Sequence, residues 1–133
     1  MPPEVEAIQK AFEYLLDNSP YRLYTFMADS PLPHVPQEVA QGLEQAGGVD
    51  MIRAVFMQFK EDEFRRCKDN PKRINGYEII EAFNSLGGRY RSLRQYEKSS
   101  GIARKTMTRK KREILAQLAF MAYAQKITPK MTP

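Results

Sequence analysis

The sequence has few of the residues on which metal and nucleophile chemistry depend. Its 133 residues include one cysteine, Cys67, one histidine, His34, and no tryptophan. A single cysteine cannot form an internal disulfide, and one histidine leaves a zinc site or a nucleophile–base pair short of side chains. We therefore expect no enzymatic activity and no metal or other cofactor.

Long apolar runs are missing as well. No stretch approaches the ~18 uncharged apolar residues of a membrane span, and the N-terminus lacks the basic-then-apolar profile of a secretion signal. We expect a soluble, cytoplasmic protein with no membrane partner. Leu, Ile, Val and Phe together make up 29 residues, which is enough for a modest core.

Basic residues are concentrated in one segment of the chain. Residues 89–112 hold 10 Lys and Arg against one acid, Glu97, whereas residues 1–88 hold 9 basic against 14 acidic residues. A positive field of this kind suits nucleic-acid phosphates, an anionic membrane face or an acidic protein. The alternative without a partner is a solvated basic surface.

Apolar spacing between glycines and prolines predicts an all-α fold. In the first half of the chain, helices are expected over 3–17, from Gln37 to Gly47-Gly48, and over 49–68. Residues 21–27 are short and aromatic, and there we favour a helix over a strand. The acidic run Glu61-Asp62-Glu63 is expected to be a solvated helix surface, since contiguous acids on a helix point in different directions.

The second half of the chain predicts three helices. Asn75 is the expected N-cap of a helix that continues through Leu86 and ends at Gly87-Gly88. Ser92 is the expected N-cap of a short helix that ends at Gly101, because Gln95 follows at the spacing of a capping box. A long helix from about Ala103 to Gln125 comes next. We divide the chain into an acidic helical region over 1–71 for oligomer or partner contacts, a unit over 72–126, and a tail over 127–133.

A short helix, a glycine turn and a cation-rich second helix form the layout of a helix-turn-helix, whose second helix enters the DNA major groove. Projected at ~100° per residue, Met107, Ile114, Leu118 and Met121 share one stripe of that helix. The opposite stripe holds Lys105, Thr108, Arg109 and Arg112. Arginine suits bidentate contacts with guanine, and threonine suits a phosphate or a thymine methyl group.

The expected DNA contacts extend beyond this stripe. Arg104, Lys110 and Lys111 flank it and suit phosphates, and Tyr90 is a candidate backbone contact, whereas Tyr77 and Tyr96 are expected in the core. The full set of candidate DNA-binding residues is Arg89, Tyr90, Arg91, Ser92, Arg94, Arg104, Lys105, Thr106, Thr108, Arg109, Lys110, Lys111 and Arg112.

Two runs of residues resemble a known family. Gly101-Ile102-Ala103-Arg104-Lys105-Thr106-Met107-Thr108-Arg109-Lys110 is similar to the G-I-x-R-x-T-L-x-R-K run of Fis-type helix-turn-helix domains. Ile80-Glu81-Ala82-Phe83 with Gly87-Gly88 resembles their preceding helix and its end. The likeness covers about a third of the chain. It implies a trihelical unit that binds DNA.

The last part of the long helix is apolar almost all round, from Ile114 to Ala124. Something must cover both of its sides, and that is either the acidic N-terminal half or a second subunit. We expect a homodimer, because paired modules match palindromic half-sites. The expected interface residues are Leu115, Leu118, Phe120 and Tyr123.

These patterns together predict a small, sequence-specific transcriptional regulator that binds double-stranded DNA, of the kind found in phages and plasmids. One alternative is a DNA-architecture, packaging or replication accessory factor with little base preference. Another is a protein-binding module that acts on RNA polymerase. RNA or an acidic protein could also take the place of duplex DNA as the partner of the basic segment.

Overall fold

The computed structural model describes residues 2–18, 26–28, 34–84 and 93–127. Helices are the regular secondary structure of these residues, and no strand occurs among them, so the all-α prediction is confirmed. In chain order the helices are α1 (Pro3–Asn18), α2 (Gln37–Ala46), α3 (Val49–Asp69), α4 (Gly76–Phe83), α5 (Leu93–Ser100) and α6 (Arg104–Ile127). Phe26 and Met27 are helical too, whereas residues 21–25 lie outside the described ranges.

Three helix ends lie at the residues that the sequence predicts, and each is fixed by glycine conformation or by a side-chain cap. Gly47 ends α2 in the left-handed conformation with φ of 91°, and Gly101 follows α5 with φ of 74°. Asn75 caps α4, because its side-chain oxygen accepts a hydrogen bond from the amide of Glu78 at 3.2 Å. These three predictions are confirmed.

The predicted end of α4 is wrong. The helix ends at Phe83, and Asn84 is its C-cap with a non-helical backbone conformation. The Asn84 side chain is buried, and its amide donates a hydrogen bond to the carbonyl of Ile80 at 3.0 Å. The backbone amide of Asn84 donates to the same carbonyl, also at 3.0 Å, so both donors of this residue bond to the last turn of the helix. Gly87-Gly88 and the expected cap Ser92 lie outside the described residues.

The main core combines residues from both sides of the predicted boundary between residues 71 and 72. Its fully buried side chains include Phe12 of α1, Phe56 of α3 and Leu118 of α6. The ring of Phe26 meets that of Phe56 edge-on, with 5.1 Å between the centroids. Because the second half of α6 belongs to this core, the first half extends from a firmly packed base.

A second cluster packs α4, α5 and the start of α6 together. Its buried members are Ile79, Ala82, Tyr96 and Met107, and Ile102 of the turn packs against them. This places Ile102 in the angle between α5 and α6. The three helices of the predicted trihelical unit therefore share one apolar cluster, while α6 continues from it into the main core.

A buried carboxylate joins α3 to α4. Glu63 is 4% exposed, and its Oε1 accepts a hydrogen bond from the Gly76 amide at 2.8 Å, while its Oε2 lies 3.0 Å from Nη1 of Arg73. The expectation of a solvated surface is thus correct for Glu61 but wrong for Glu63. Glycine makes the close approach of α4 possible, because a Cβ at Gly76 would lie 2.9 Å from that Oε1.

Candidate nucleic-acid interface

The turn between α5 and α6 is held by polar contacts on both sides of Gly101. Glu97 Oε2 accepts a hydrogen bond from the backbone amide of Arg104 at 2.9 Å, and Glu97 Oε1 lies 3.6 Å from Nη2 of the same arginine. The amide of Ile102 donates to Oγ of Ser100 at 3.1 Å. A carboxylate at a helix N-terminus satisfies an amide left without an intrahelical partner and complements the helix dipole. Glu97 therefore helps to fix where α6 begins.

This role of Glu97 is not predicted from the sequence. The available signal is that Glu97 is the one acid of the basic segment 89–112 and stands just before the turn. The first turn of α6 contains no acid of its own. Glu97 of α5 can cap α6 only if the turn brings α5 back against the start of α6. The spacing of residues in the sequence does not show whether the turn does so.

The outward side of α6 carries four of the predicted DNA-binding residues. Lys105, Arg109 and Arg112 are exposed and Thr108 is half-buried, whereas Met107 on the opposite side is fully buried. We call these four residues the cationic face. They line one shared surface depression together with Thr106. The helical projection therefore placed these side chains correctly relative to the core.

Ion pairing leaves most of the charge of the cationic face available. Nε of Arg109 lies 3.9 Å from Oε1 of Glu113, and the two side chains are 67% and 57% exposed. Such an exposed pair contributes little and exchanges readily with water or another anion. Lys105 and Arg112 have no ion pair within the described part of the chain.

The hydroxyl of Thr108 is partly committed within α6. It donates a hydrogen bond to the carbonyl oxygen of Arg104, at 3.0 Å. Its proton is therefore not free for a phosphate oxygen while this bond persists, whereas its methyl group remains available for apolar contact. Of the two ligands expected for Thr108, the thymine methyl group fits this arrangement better than a phosphate.

The flanking cations differ in how far they are available for phosphates. Arg104 is 50% exposed beside Glu97, and Lys110 is 39% exposed with its Nζ 3.6 Å from Oε2 of Glu113. Arg94 is exposed on α5. The remaining candidates Arg89, Tyr90, Arg91 and Ser92 lie outside the described residues.

Lys111 does not fit its predicted role as a phosphate contact. Its side chain is 17% exposed, with Nζ 3.7 Å from Oδ1 of Asp17 and 4.6 Å from the centroid of the Phe83 ring. The ammonium group therefore connects α6 to α1 and α4 through an ion pair and a cation–π contact. Lys111 could reach DNA only after its contacts with Asp17 and Phe83 were broken.

The expected interface residues separate into two groups. Leu115 and Leu118 are 2% and 0% exposed because the main core of the same chain covers them, so a second copy could reach them only if that core opened. The prediction of a subunit interface is therefore wrong for these two leucines. Phe120 is 46% exposed and Tyr123 is half-buried, so these two side chains do reach the surface.

The tyrosines, the cysteine and the histidine considered in the sequence differ in their exposure to solvent. Tyr77 and Tyr96 are buried, as predicted, and Cys67 is half-buried. His34 is exposed.

Within the described ranges, none of the helices has the length and apolar character of a membrane span. No group of three or more His, Cys, Asp or Glu side chains in these ranges could hold a metal ion.

Comparison of the chain with known protein families, with curated proteins and with solved structures gives no match.

Proposed function

We propose that this chain is a small sequence-specific DNA-binding protein that regulates transcription, and that the first half of α6 enters the major groove. The observation that carries the proposal is the cationic face. It has three exposed cations and a threonine on the outward side of one helix, whose opposite side is anchored in two apolar clusters. A major groove admits one α-helix, and a firmly held helix presents its side chains to base edges in one register.

The contacts of each side chain suggest a division of roles. Arg109 can exchange its loose contact with Glu113 for the two acceptors of a guanine, and the Thr108 methyl group can contact a thymine. Lys105, Arg112, Arg104 and Lys110 are more suited to the phosphate backbone, which carries no sequence information.

A pair of copies fits this function, because two modules on one duplex gain effective concentration and match two half-sites. Phe120 is the large apolar side chain of α6 that remains most exposed in the described chain, at 46%. It is our candidate for the contact between copies.

The test is a titration of the full chain on duplex DNA at two salt concentrations. One duplex is selected by the protein from a randomised pool, and the other is a random sequence of the same length. With roughly 4 phosphate contacts, the affinity should fall by about 10²-fold between about 50 and 200 mM salt.

Two variants then separate readout from backbone contact. Arg109→Ala should lower affinity for the selected duplex by about tenfold or more and leave random duplex much less affected, whereas Lys110→Ala should weaken both duplexes alike. Equal affinity of the wild-type protein for both duplexes would instead indicate an architectural factor. A response that does not depend on salt would rule out a phosphate-based interface.

A further inference from the structure

A groove of about 530 Å³ lies between the end of α3, the following loop and α5. We call it the α3/α5 groove. Its volume is within the range of pockets that hold ligands or peptide side chains. Its apolar lining consists of Phe64, Cys67, Pro71, Ile74, Tyr96 and Ile102.

Two of these apolar side chains are unusually open to solvent. Phe64 and Ile74 are 37% and 38% exposed, and with Phe120 they are the large hydrophobic side chains with the greatest exposure in the described chain. Phe120 lies on α6 and is not part of the groove. Exposed apolar side chains scattered singly are ordinary, but two that line one concave site indicate a surface for apolar contact.

The rim of the groove is positively charged. Lys68 and Lys72 are exposed, and neither has an ion pair within the part of the chain that the structure describes. Arg73 also lines the groove, but its guanidinium is held by Glu63 at 3.0 Å. Glu78, half-buried, is the only acidic side chain among the described lining residues. Two exposed apolar side chains beside two available ammonium groups are complementary to a segment that combines apolar side chains with carboxylates.

The side chains that line the groove favour a protein segment over a nucleic-acid backbone. Its α5 wall is formed by Tyr96, Ser99 and Ser100. At ~100° per residue, the cations Arg94 and Lys98 fall on the opposite side of α5. The cations of α5 therefore add nothing to this groove, and the exposed Phe64 and Ile74 offer apolar contact that a phosphate backbone cannot use.

We propose that the α3/α5 groove binds an acidic segment of a partner protein. Apolar side chains of that segment contact Phe64 and Ile74, and its carboxylates pair with Lys68 and Lys72. The proposal stands on the groove alone and does not depend on DNA binding by α6.

The single cysteine of the chain provides a reporter for this groove. Cys67 lines it and is half-buried, with Sγ 3.5 Å from the carbonyl oxygen of Arg73. A segment that occupies the groove should shield the thiol from a small neutral alkylating reagent such as iodoacetamide. Every modification event then reports on this one site.

The probe is a synthetic peptide of about 12 residues that carries one Phe and one Leu among Asp and Glu. Its affinity for the full chain is measured by fluorescence anisotropy, and the Cys67 alkylation rate is measured with and without it. At a peptide concentration about ten times Kd, alkylation should slow by about tenfold. The same peptide with Lys in place of every acid should neither bind nor protect.

Matched variants test the rim. The double variant Lys68→Glu with Lys72→Glu should weaken peptide binding by about tenfold or more, whereas Lys10→Glu with Lys98→Glu makes the same charge change outside the groove and should have little effect. All four lysines are exposed, so both variants should fold, which circular dichroism checks.

Any of four results would overturn the proposal. The first is no binding of the acidic peptide at millimolar concentration, and the second is an equal loss in both double variants. The third is protection of Cys67 by duplex DNA but not by the peptide, which would assign the groove to nucleic acid. The fourth is protection that rises with protein concentration alone, which would assign it to a second copy of this chain.

Discussion

Replacement of Glu63 by alanine should destabilise the fold strongly although Glu63 belongs to an acidic run on a helix. The carboxylate is 4% exposed, accepts a hydrogen bond from the Gly76 amide at 2.8 Å and lies 3.0 Å from the Arg73 guanidinium. Glu63→Ala leaves the buried amide without an acceptor, which costs about 1–3 kcal/mol. Loss of the partner of Arg73 adds to this cost, because the Nη1 atom that faces the carboxylate is buried although the side chain as a whole is 33% exposed.

We therefore expect Glu63→Ala to lower the free energy of unfolding by about 3 kcal/mol. For a chain of this length that corresponds to a decrease in Tm of about 10 °C. Urea unfolding and thermal melting, both followed by circular dichroism, measure the two quantities. The change should also leave α4 less well attached to α3, since the carboxylate joins them.

Two controls accompany this variant. Glu61→Ala removes an exposed acid from the same helix and should change stability by no more than about 0.5 kcal/mol. Glu63→Gln keeps an oxygen that can accept from the Gly76 amide but loses the charge, so its stability should be intermediate. If Glu63→Ala is as stable as Glu61→Ala, the inference that this carboxylate joins α3 and α4 is refuted.

Three further predictions concern α6. Glu97→Ala should lower stability by about 1 kcal/mol in urea unfolding, because the Arg104 amide loses its acceptor; no change would contradict the capping role. Lys111→Met should lower stability by about 1 kcal/mol yet leave duplex affinity within about twofold, whereas a large loss of affinity would restore Lys111 as a phosphate contact. Leu118→Ala should lower the free energy of unfolding by about 3 kcal/mol, whereas Phe120→Glu should lower it by less than about 1 kcal/mol. Phe120→Glu should also reduce any dimer detected by light scattering. Unfolding of the Phe120→Glu variant would contradict the exposed position of this side chain.

Much of the fold follows from local sequence signals. Apolar spacing predicts the helices of the first half almost to the residue, since each helix buries one side against the same core. Gly47, Asn75 and Gly101 mark helix ends through backbone conformation or capping, both of which act within a few residues. The end of α4 at Asn84 is marked by no glycine or proline in the sequence, and the Asn84 side chain is fully buried in the structure.

The candidate site shows the same division between local and distant causes. The cationic face of α6 follows from helical periodicity, which needs no knowledge of the remaining chain. The environment of Lys111 is not predictable in this way, because its partner Asp17 comes from α1. The burial of Leu115 is not predictable either, because the main core brings α1 against α6. Residues far apart in the sequence determine both environments, and no local pattern reports them.

The proposed function depends above all on contact between the cationic face of α6 and duplex DNA. The most direct measurement compares duplex affinity, by fluorescence anisotropy at one salt concentration, for two triple alanine variants that remove the same charge. One variant replaces the three cations of the cationic face, and the other replaces the exposed Lys10, Arg65 and Lys68 of α1 and α3. We expect the first variant to bind the selected duplex about 10²-fold or more weakly than the wild-type protein, and the second to stay within about threefold of it. Equal affinities of the two variants would contradict this expectation.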